Sequence, residues 1–557
     1  MFLKVFRVLL ILSILNLSNG YLLETQAQVE FVSSVDSLES KSLNWYNKSP
    51  EIDKIQGADV NRCYNELLVN KTPKRTIIVA VIDGGVDVDH EDLKGKIWIN
   101  KGEIPNNGVD DDLNGYIDDV NGWNFLGNSR GVNIKEENSE ATRLFKKFKP
   151  YYDTVSSKES LPEVKRKEYE VFIAAKNYHL TKVDEYKQSL RNLESFERNI
   201  AQAEEFLKNY LGKSNFTIND LYGIQSKDQG LMKLRDSMID LYRSGFSKQK
   251  LDKSKENLLN IINKKYNTDF NPRKNIIADN IANIEDKNYG NNNVKGPDPY
   301  HGTAVAGVIA ASRSNGIGVD GIADSVKIIV IRAVPDGDEY DKDIALAIRY
   351  AVDNGANIIN MSFGKNFSPE KIFVDEAIKY AESKNVLLVH AAGNDSEDMD
   401  VVNAYPINLL NDSSKVNSWI TVGANSRKLN KMLCGRFSNY GQENVDVFAP
   451  GVQLAMLYPG SRYSIMDGTS FAAPVVSGVA ALIWSYYPEF SSIELKDIIL
   501  KSCTDHKNVK VYYPKRTGKA KKTKFMYLSK TGGIANAYNA LKLAEKISTA
   551  KLVNGSN

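Results

Sequence analysis

At 557 residues, 42% of them hydrophobic, the chain is long enough for two to four average domains and a large buried core. Its 72 Lys and Arg stand against 69 Asp and Glu, and the resulting net charge of +3 gives no case for nucleic acid as the main partner. Three cysteines (Cys63, Cys434, Cys503) are too few and too scattered for a disulfide framework or a zinc site.

Residues 1–27, MFLKVFRVLLILSILNLSNGYLLETQA, read as a signal peptide. Lys4 and Arg7 precede an apolar run from Val8 to Leu17 that is too short to span a bilayer. Cleavage is expected after Gly20 or after Ala27, with a short segment 28–43 following. The mature protein is then expected to be secreted or periplasmic and to carry no transmembrane segment.

The first buried strand is expected at Thr76–Asp83, TIIVAVID, and Asp83 closes it before a Gly-Gly turn. Next, NNGVDDDLNGYIDDVNGWNF starts at Asn106 and sets Asp110, Asp112, Asn114 and Asp118 at D-x-D-x-N-G spacing, with Gly115 at the turn. That spacing lets oxygens converge on calcium, although Asn121 stands where an EF-hand has its bidentate Glu; an ordinary polar loop is the alternative.

Residues 137–275 have a different texture. Leu180, Val183, Tyr186, Leu190, Leu193, Phe196, Ile200, Ala203 and Phe206 recur at steps of three and four, and a second such stretch runs from Leu231 to Tyr266. The expectation is an antiparallel helical hairpin inserted into the chain. His179 reads as a residue on a helix face, with no assigned role.

Beyond it, VKIIVIRAV, ANIINMSFG, NVLLVHAAGN and WITVGA are further continuous apolar runs, alternating with amphipathic stretches such as DKDIALAIRYAVDNG and FVDEAIKYAESKN. Continuous Val/Ile runs suit strands of a parallel sheet buried on both faces, and strand–helix alternation makes the fold class a doubly wound, mostly parallel α/β sheet. Ligands in such folds lie beyond the carboxyl ends of the strands.

Four residues are placed there or at a helix start: Asp83; His301, opening HGTAVAGVIAAS; Asn394, in AAGND; and Ser470, in DGTSFAAP. Each alone has a bland reading, as turn, core histidine, loop amide or helix cap. An Asp at a strand end, a His at a helix start, an Asn after a later strand and a Ser at a helix N-terminus, in that order, are the parts of a subtilisin-type triad with its oxyanion donor. Further on, Lys515 to Lys524, KRTGKAKKTK, carries six basic residues in ten and reads as a solvated loop.

The blocks VIDGGVD, HGTAVAGVIAA, NMSFG, AAGN and GTSFAAP resemble the signature blocks of the subtilases, the subtilisin-like serine proteases, over roughly Asn44 to Ile547. The resemblance implies a catalytic domain in two parts, 44–136 and 276–547, around the insertion 137–275, with a tail at 548–557. It implies that Ser470 attacks a peptide carbonyl, His301 moves the proton, Asp83 holds the imidazole, and Asn394 with the Ser470 N–H cradles the oxyanion. Ser362, Phe363 and Gly364 match the edge segment that pairs with substrate backbone.

The sequence departs from the family at Ala304, where a second histidine is frequent, and at Asp467, where serine is common. The expected function is an exported serine endopeptidase acting on polypeptides, with no cofactor required for chemistry and structural calcium as an open question. The alternative is a catalytically silent scaffold that binds a partner through its insertion. With 16 to 23 residues between either cleavage point and Asn44, no folded prodomain is expected. The insertion is then the segment expected to restrain activity, as a lid or an exosite.

Overall fold

The strand Ile77–Asp83 (β1) has six of its seven residues buried, because both of its faces are covered. It lies inside a nine-stranded sheet with Gly122–Asn124 (β2), Val326–Arg332 (β3), Ile358–Met361 (β4), Leu387–Ala391 (β5), Trp419–Asn425 (β6), Val447–Pro450 (β7), Thr504–Asp505 (β8) and Gly533–Ile534 (β9). These come from a computed structural model that describes residues 31–32, 37–516 and 518–554, so the expected signal peptide lies outside the described residues. The strand order is β8-β9-β7-β6-β5-β4-β1-β3-β2, and every neighbouring pair is parallel except β8–β9. All five apolar runs singled out in the sequence form strands of this sheet.

Successive side chains of a strand point to opposite faces, and each face has its own core. Val79 and Val81 of β1 pack with the helices Tyr300–Ala310, Thr469–Tyr486, Ser492–Lys501 and Ala537–Asn554. Ala80 and Ile82 pack on the other side with the helices Asp341–Asp353 and Lys371–Ser383. Thr469–Tyr486 is, among the described residues, the one helix long and apolar enough to cross a membrane, and 94% of it is buried in this core.

The chain leaves β1 towards β3 on one side and later returns to β4 on the other. Strand order therefore reverses at β1, and Asp83 stands at its carboxyl end, the place where sheets of this kind form their ligand crevice. A separate three-stranded antiparallel sheet (Phe31–Val32, Arg462–Met466, Leu454–Tyr458) ends in the turn that leads to Ser470.

Among the described residues, 141–270 form one compact unit, and 31–32 and 37–140 with 271–516 and 518–554 form another. Within the first, Glu163–Leu211 is a single 49-residue helix whose Leu193, Phe196 and Ile200 pack against Leu234, Met238 and Leu258. The second periodic stretch is two helices, Gln229–Arg243 and Lys248–Asn260, not one. Gly245 takes φ +79°, and Ser247 caps the second helix by accepting from Lys250 N–H, two local stop-and-start signals that periodicity alone does not register. His179 is buried there, with Nδ1 3.0 Å from Thr142 Oγ1 and its ring stacked on Phe145, and thus serves that unit's packing.

Candidate active site

Asp83 ends β1 with only 3% of its surface exposed. Its Oδ1 accepts the Gly84 N–H at 2.7 Å, and both carboxylate oxygens lie 2.9 Å from His301 Nδ1. His301 is the second residue of the helix Tyr300–Ala310. Gly302 permits the approach of that helix, since a Cβ there would meet Gly85 O at 2.3 Å and Asp83 Cβ at 3.1 Å. A carboxylate only accepts, so Nδ1 carries the hydrogen and Nε2 keeps its lone pair for the crevice. Burial lowers the His301 pKa, but the charge of Asp83, its hydrogen bond and the more distant Asp336 outweigh burial and raise it above the ordinary imidazole value.

Ser470 is the second residue of its own helix, half-buried beside Phe471, whose ring is 5.3 Å from that of His301. Among the described residues no hydrogen bond joins His301 Nε2 to Ser470 Oγ. Asn394 Oδ1 accepts from Thr469 N–H at 2.9 Å and from Thr469 Oγ1 at 3.0 Å. Because a backbone N–H can only donate, the amide orientation is forced, and the Asn394 NH₂ is left for the crevice. Thr469 Oγ1 in turn accepts the Gly393 N–H at 3.1 Å. The neighbouring Asp467 is exposed, and its Oδ1 accepts the Gln453 N–H.

The segment Ser362–Gly364 is fastened at three points. Ser362 Oγ donates to Ser470 O at 2.7 Å and accepts from Asn360 Nδ2, while Phe363 O accepts from His390 Nε2 at 2.9 Å. Burial pushes the His390 pKa down to about 4 against the effect of that hydrogen bond, so this ring is neutral. The next residue, Lys365, pairs its backbone with Tyr405 and buries its amine among Glu140 Oε2, Asp341 Oδ1 and Glu339 O, at 2.8–2.9 Å. Among the described residues the Gly364 N–H and C=O take no hydrogen bond.

Thr469, His390 and Lys365 were not among the candidate residues. His390 carried a signal, because a histidine inside the apolar run NVLLVH must find a partner. Lys365 carried none, as its partners are distant in sequence.

Of the four residues proposed for calcium, Asp110 and Asp118 spend their carboxylates on N–H groups of their own loop: Asn114 and Gly115 for the first, Asn107 and Gly108 for the second. Asn114 donates its Nδ2 to Asp112 and Asp119. The carboxylates that converge are Glu103, Asp112 and Asp119, with ligand oxygens within 4.8 Å of one another. Burial raises the pKa of Glu103 and of Asp119, with neighbouring carboxylates adding to the rise.

The chain is thus an α/β protein with a doubly wound, mostly parallel sheet, whose switch point carries a buried carboxylate hydrogen-bonded to a half-buried imidazole. Residues 74–521 match the family model described as "Subtilase family", and the chain belongs to the subtilase family. It is 34% identical to Subtilisin BL of Lederbergia lenta over 213 residues, 38% of this chain and 73% of that protein. It is also 34% identical to the cell wall-associated protease of Bacillus subtilis (strain 168) over 217 residues, 39% of this chain and 22% of that protein. With M-protease of Shouchella clausii (strain KSM-K16) it shares 34% identity over 213 residues, 38% of this chain and 52% of that protein. The match thus spans about half or less of the length of the latter two.

Thr469→Val keeps the side-chain shape while removing the hydroxyl that serves Asn394 and the Gly393 N–H. The variant should be less stable by about 1–3 kcal/mol in urea denaturation, the cost of orphaning buried polar groups. A midpoint equal to the parent's would mean that this hydroxyl does not hold Asn394.

Proposed function

We propose that this chain is an exported serine endopeptidase. The observation that carries the reading is the His301–Asp83 pair, whose geometry leaves Nε2 unprotonated, with the His301 ring 5.3 Å from that of Phe471, the residue after Ser470. His301 takes the Ser470 proton as the hydroxyl oxygen attacks a peptide carbonyl, and then gives that proton to the departing amine. Asp83 fixes the tautomer and stabilises the imidazolium. The Asn394 NH₂ and the Ser470 N–H face the oxygen on which negative charge grows, at a helix N-terminus whose dipole favours that charge. The substrate backbone adds as a strand along Ser362–Gly364, whose Gly364 groups are unpaired for that purpose. A His–Ser hydrogen bond that is open in the free enzyme and closes on substrate is common for such sites. Export through residues 1–27 and the helical unit as an insertion between Asp83 and His301 belong to the same reading.

Ser470→Ala should abolish peptide hydrolysis and labelling by a fluorophosphonate while leaving the fold intact. Asn394→Ala should cost about 10²–10³ in kcat at little change in KM, the magnitude known for the oxyanion donor of subtilisin itself. An unlabelled wild type would instead favour a silent scaffold.

Activity requires neutral His301, and its raised pKa moves protonation to higher pH. The acid limb of kcat/KM should therefore fall above the ~6.5 of a free imidazole. An acid limb at or below that value would remove His301 from the role of base.

The loop 100–119 holds structural calcium in this reading. The converging donors Glu103, Asp112 and Asp119 are all hard oxygens, and a divalent cation would offset the burial, and after it the neighbouring carboxylates, that raise the pKa of Glu103 and Asp119. Chelation should lower the Tm of the wild type but not of Asp112→Ala. Identical Tm values for the wild type with and without chelator would retire the ion.

A further inference from the structure

The ribbon Lys510–Tyr512 and Lys522–Lys524, with the loop between its strands, holds seven cations and no carboxylate: Lys510, Lys515, Arg516, Lys519, Lys521, Lys522 and Lys524. All seven are exposed, and among the described residues none enters an ion pair or a side-chain hydrogen bond. Elsewhere, exposed lysines such as Lys71, Lys158 and Lys379 do find partners, in Glu545, Glu170 and Asp412. Lys510 stands directly opposite Lys524 in the ladder, a like-charge pairing that works against the ribbon's own stability. These cations more than account for the chain's net +3, so the ribbon is a concentrated positive field on an otherwise slightly acidic body.

The ribbon is also firmly rooted. Val511 and Phe525 are fully buried with Ala392, Met399 and Phe448, and Tyr512 N–H donates to Lys431 O. Its loop is tied to the active-site rim by one side chain: Arg436 donates from Nε to Lys515 O and from Nη2 to Gly518 O, both at 3.0 Å. Arg436 O accepts the Ser396 hydroxyl, and Ser396 lies two residues past Asn394. Asn439, three residues further along from Arg436, accepts the Asp395 N–H and donates to Ala392 O.

We propose that the ribbon 510–524 is an exosite for acidic runs of the polypeptide being cleaved, an inference that rests on the peptidase reading. A chain held at Ser470 passes the Asn394 rim, and seven unneutralised charges along a two-stranded ribbon suit an extended Asp/Glu-rich segment rather than a single small anion. The ribbon then selects among polypeptides by charge outside the cleaved bond.

The test uses peptides that share one scissile sequence and carry either a Glu-rich or a Ser/Gly extension. In low salt the wild type should cleave the acidic peptide about 10-fold or more faster in kcat/KM, and the advantage should vanish as salt shortens the Debye length from ~30 Å at 0.01 M to ~3 Å at 1 M. Lys515→Gln, Arg516→Gln, Lys519→Gln and Lys522→Gln combined should erase the preference without slowing the Ser/Gly peptide. The same loss of charge at Lys94, Lys233, Lys253 and Lys546 should leave it unchanged. Equal rates for both peptides in the wild type, or a preference that survives the ribbon variant, would overturn the proposal. So would displacement of the acidic peptide by a short single-stranded DNA or by anionic vesicles at lower charge concentration than by free Glu-rich peptide, since the ribbon would then serve nucleic acid or lipid. Anisotropy of a labelled Glu-rich peptide on Ser470→Ala reads the ribbon without catalysis. Failure of Ser/Gly peptide hydrolysis alongside retained, ribbon-dependent binding would count against the peptidase reading and not against the exosite.

Discussion

The site depends on keeping a carboxylate inside a protein. Asp83 sits at the end of a strand with apolar layers on both sides, and a buried carboxylate without hydrogen bonds would cost several kcal/mol. Its hydrogen bonds come from Gly84 and His301, and the second requires a helix to reach the strand end, where Gly302 leaves room for it. Satisfying Asp83 therefore fixes where the imidazole is, which tautomer it adopts, and that Nε2 faces the crevice. The same carboxylate, with Asp336, raises the His301 pKa against the effect of burial.

A second polar arrangement sits beside the first and obeys the same rule. Thr469 is fully buried and uses its N–H and hydroxyl on Asn394, while Ser362 reaches the carbonyl of Ser470. The helix start that presents Ser470 is thereby hydrogen-bonded to the segment after β5 and to the segment after β4. These residues come from three parts of the chain, yet each lies just past the carboxyl end of a strand or at the first turn of a helix, the places where a sheet buried on both faces leaves backbone groups unspent.

What could be read from the sequence follows this division. Strands β1 and β3 to β6 were legible because a doubly covered parallel strand needs an unbroken Val/Ile run, and with them the placement of Asp83, His301, Asn394 and Ser470 just past such runs or at a helix start. Three things were hidden for separate physical reasons. The break at Gly245 is a local φ choice inside a pattern whose periodicity continues on either side. The acidic loop groups Glu103 and Asp119 with Asp112 because Asn100 Nδ2 draws Asp112 and Asp119 together, a closure that D-x-D-x-N spacing does not encode. Lys365 found its partners through tertiary contact alone, since Glu140 is 225 positions away.

Lys365 also joins the edge segment to the way the chain is threaded. The turn Asp341-Lys342-Asp343 opens a helix, and each of its side chains takes a buried ion partner: Asp341 holds Lys365, which holds Glu140; Lys342 holds Asp279; and Asp343 holds Arg273, which also pairs with Asp279. Glu140 and Arg273 flank, in the chain, the separately packed residues 141–270. Replacing such buried pairs with apolar groups often costs nothing, whereas removing one partner costs about 3–5 kcal/mol, so their value lies in register more than in net stability. Parallel contacts of Lys135 and Glu137 with Asp336, and the Asp338 carboxylate accepting the Glu140 N–H, align the same stretch along the loop after β3. The charged turn Asp341–Asp343 helps to set the path of this stretch through those ion pairs, and because Lys365 belongs to that turn's network, the segment Ser362–Gly364 is held by the same constraint that fixes where residues 135–140 and 271–279 lie.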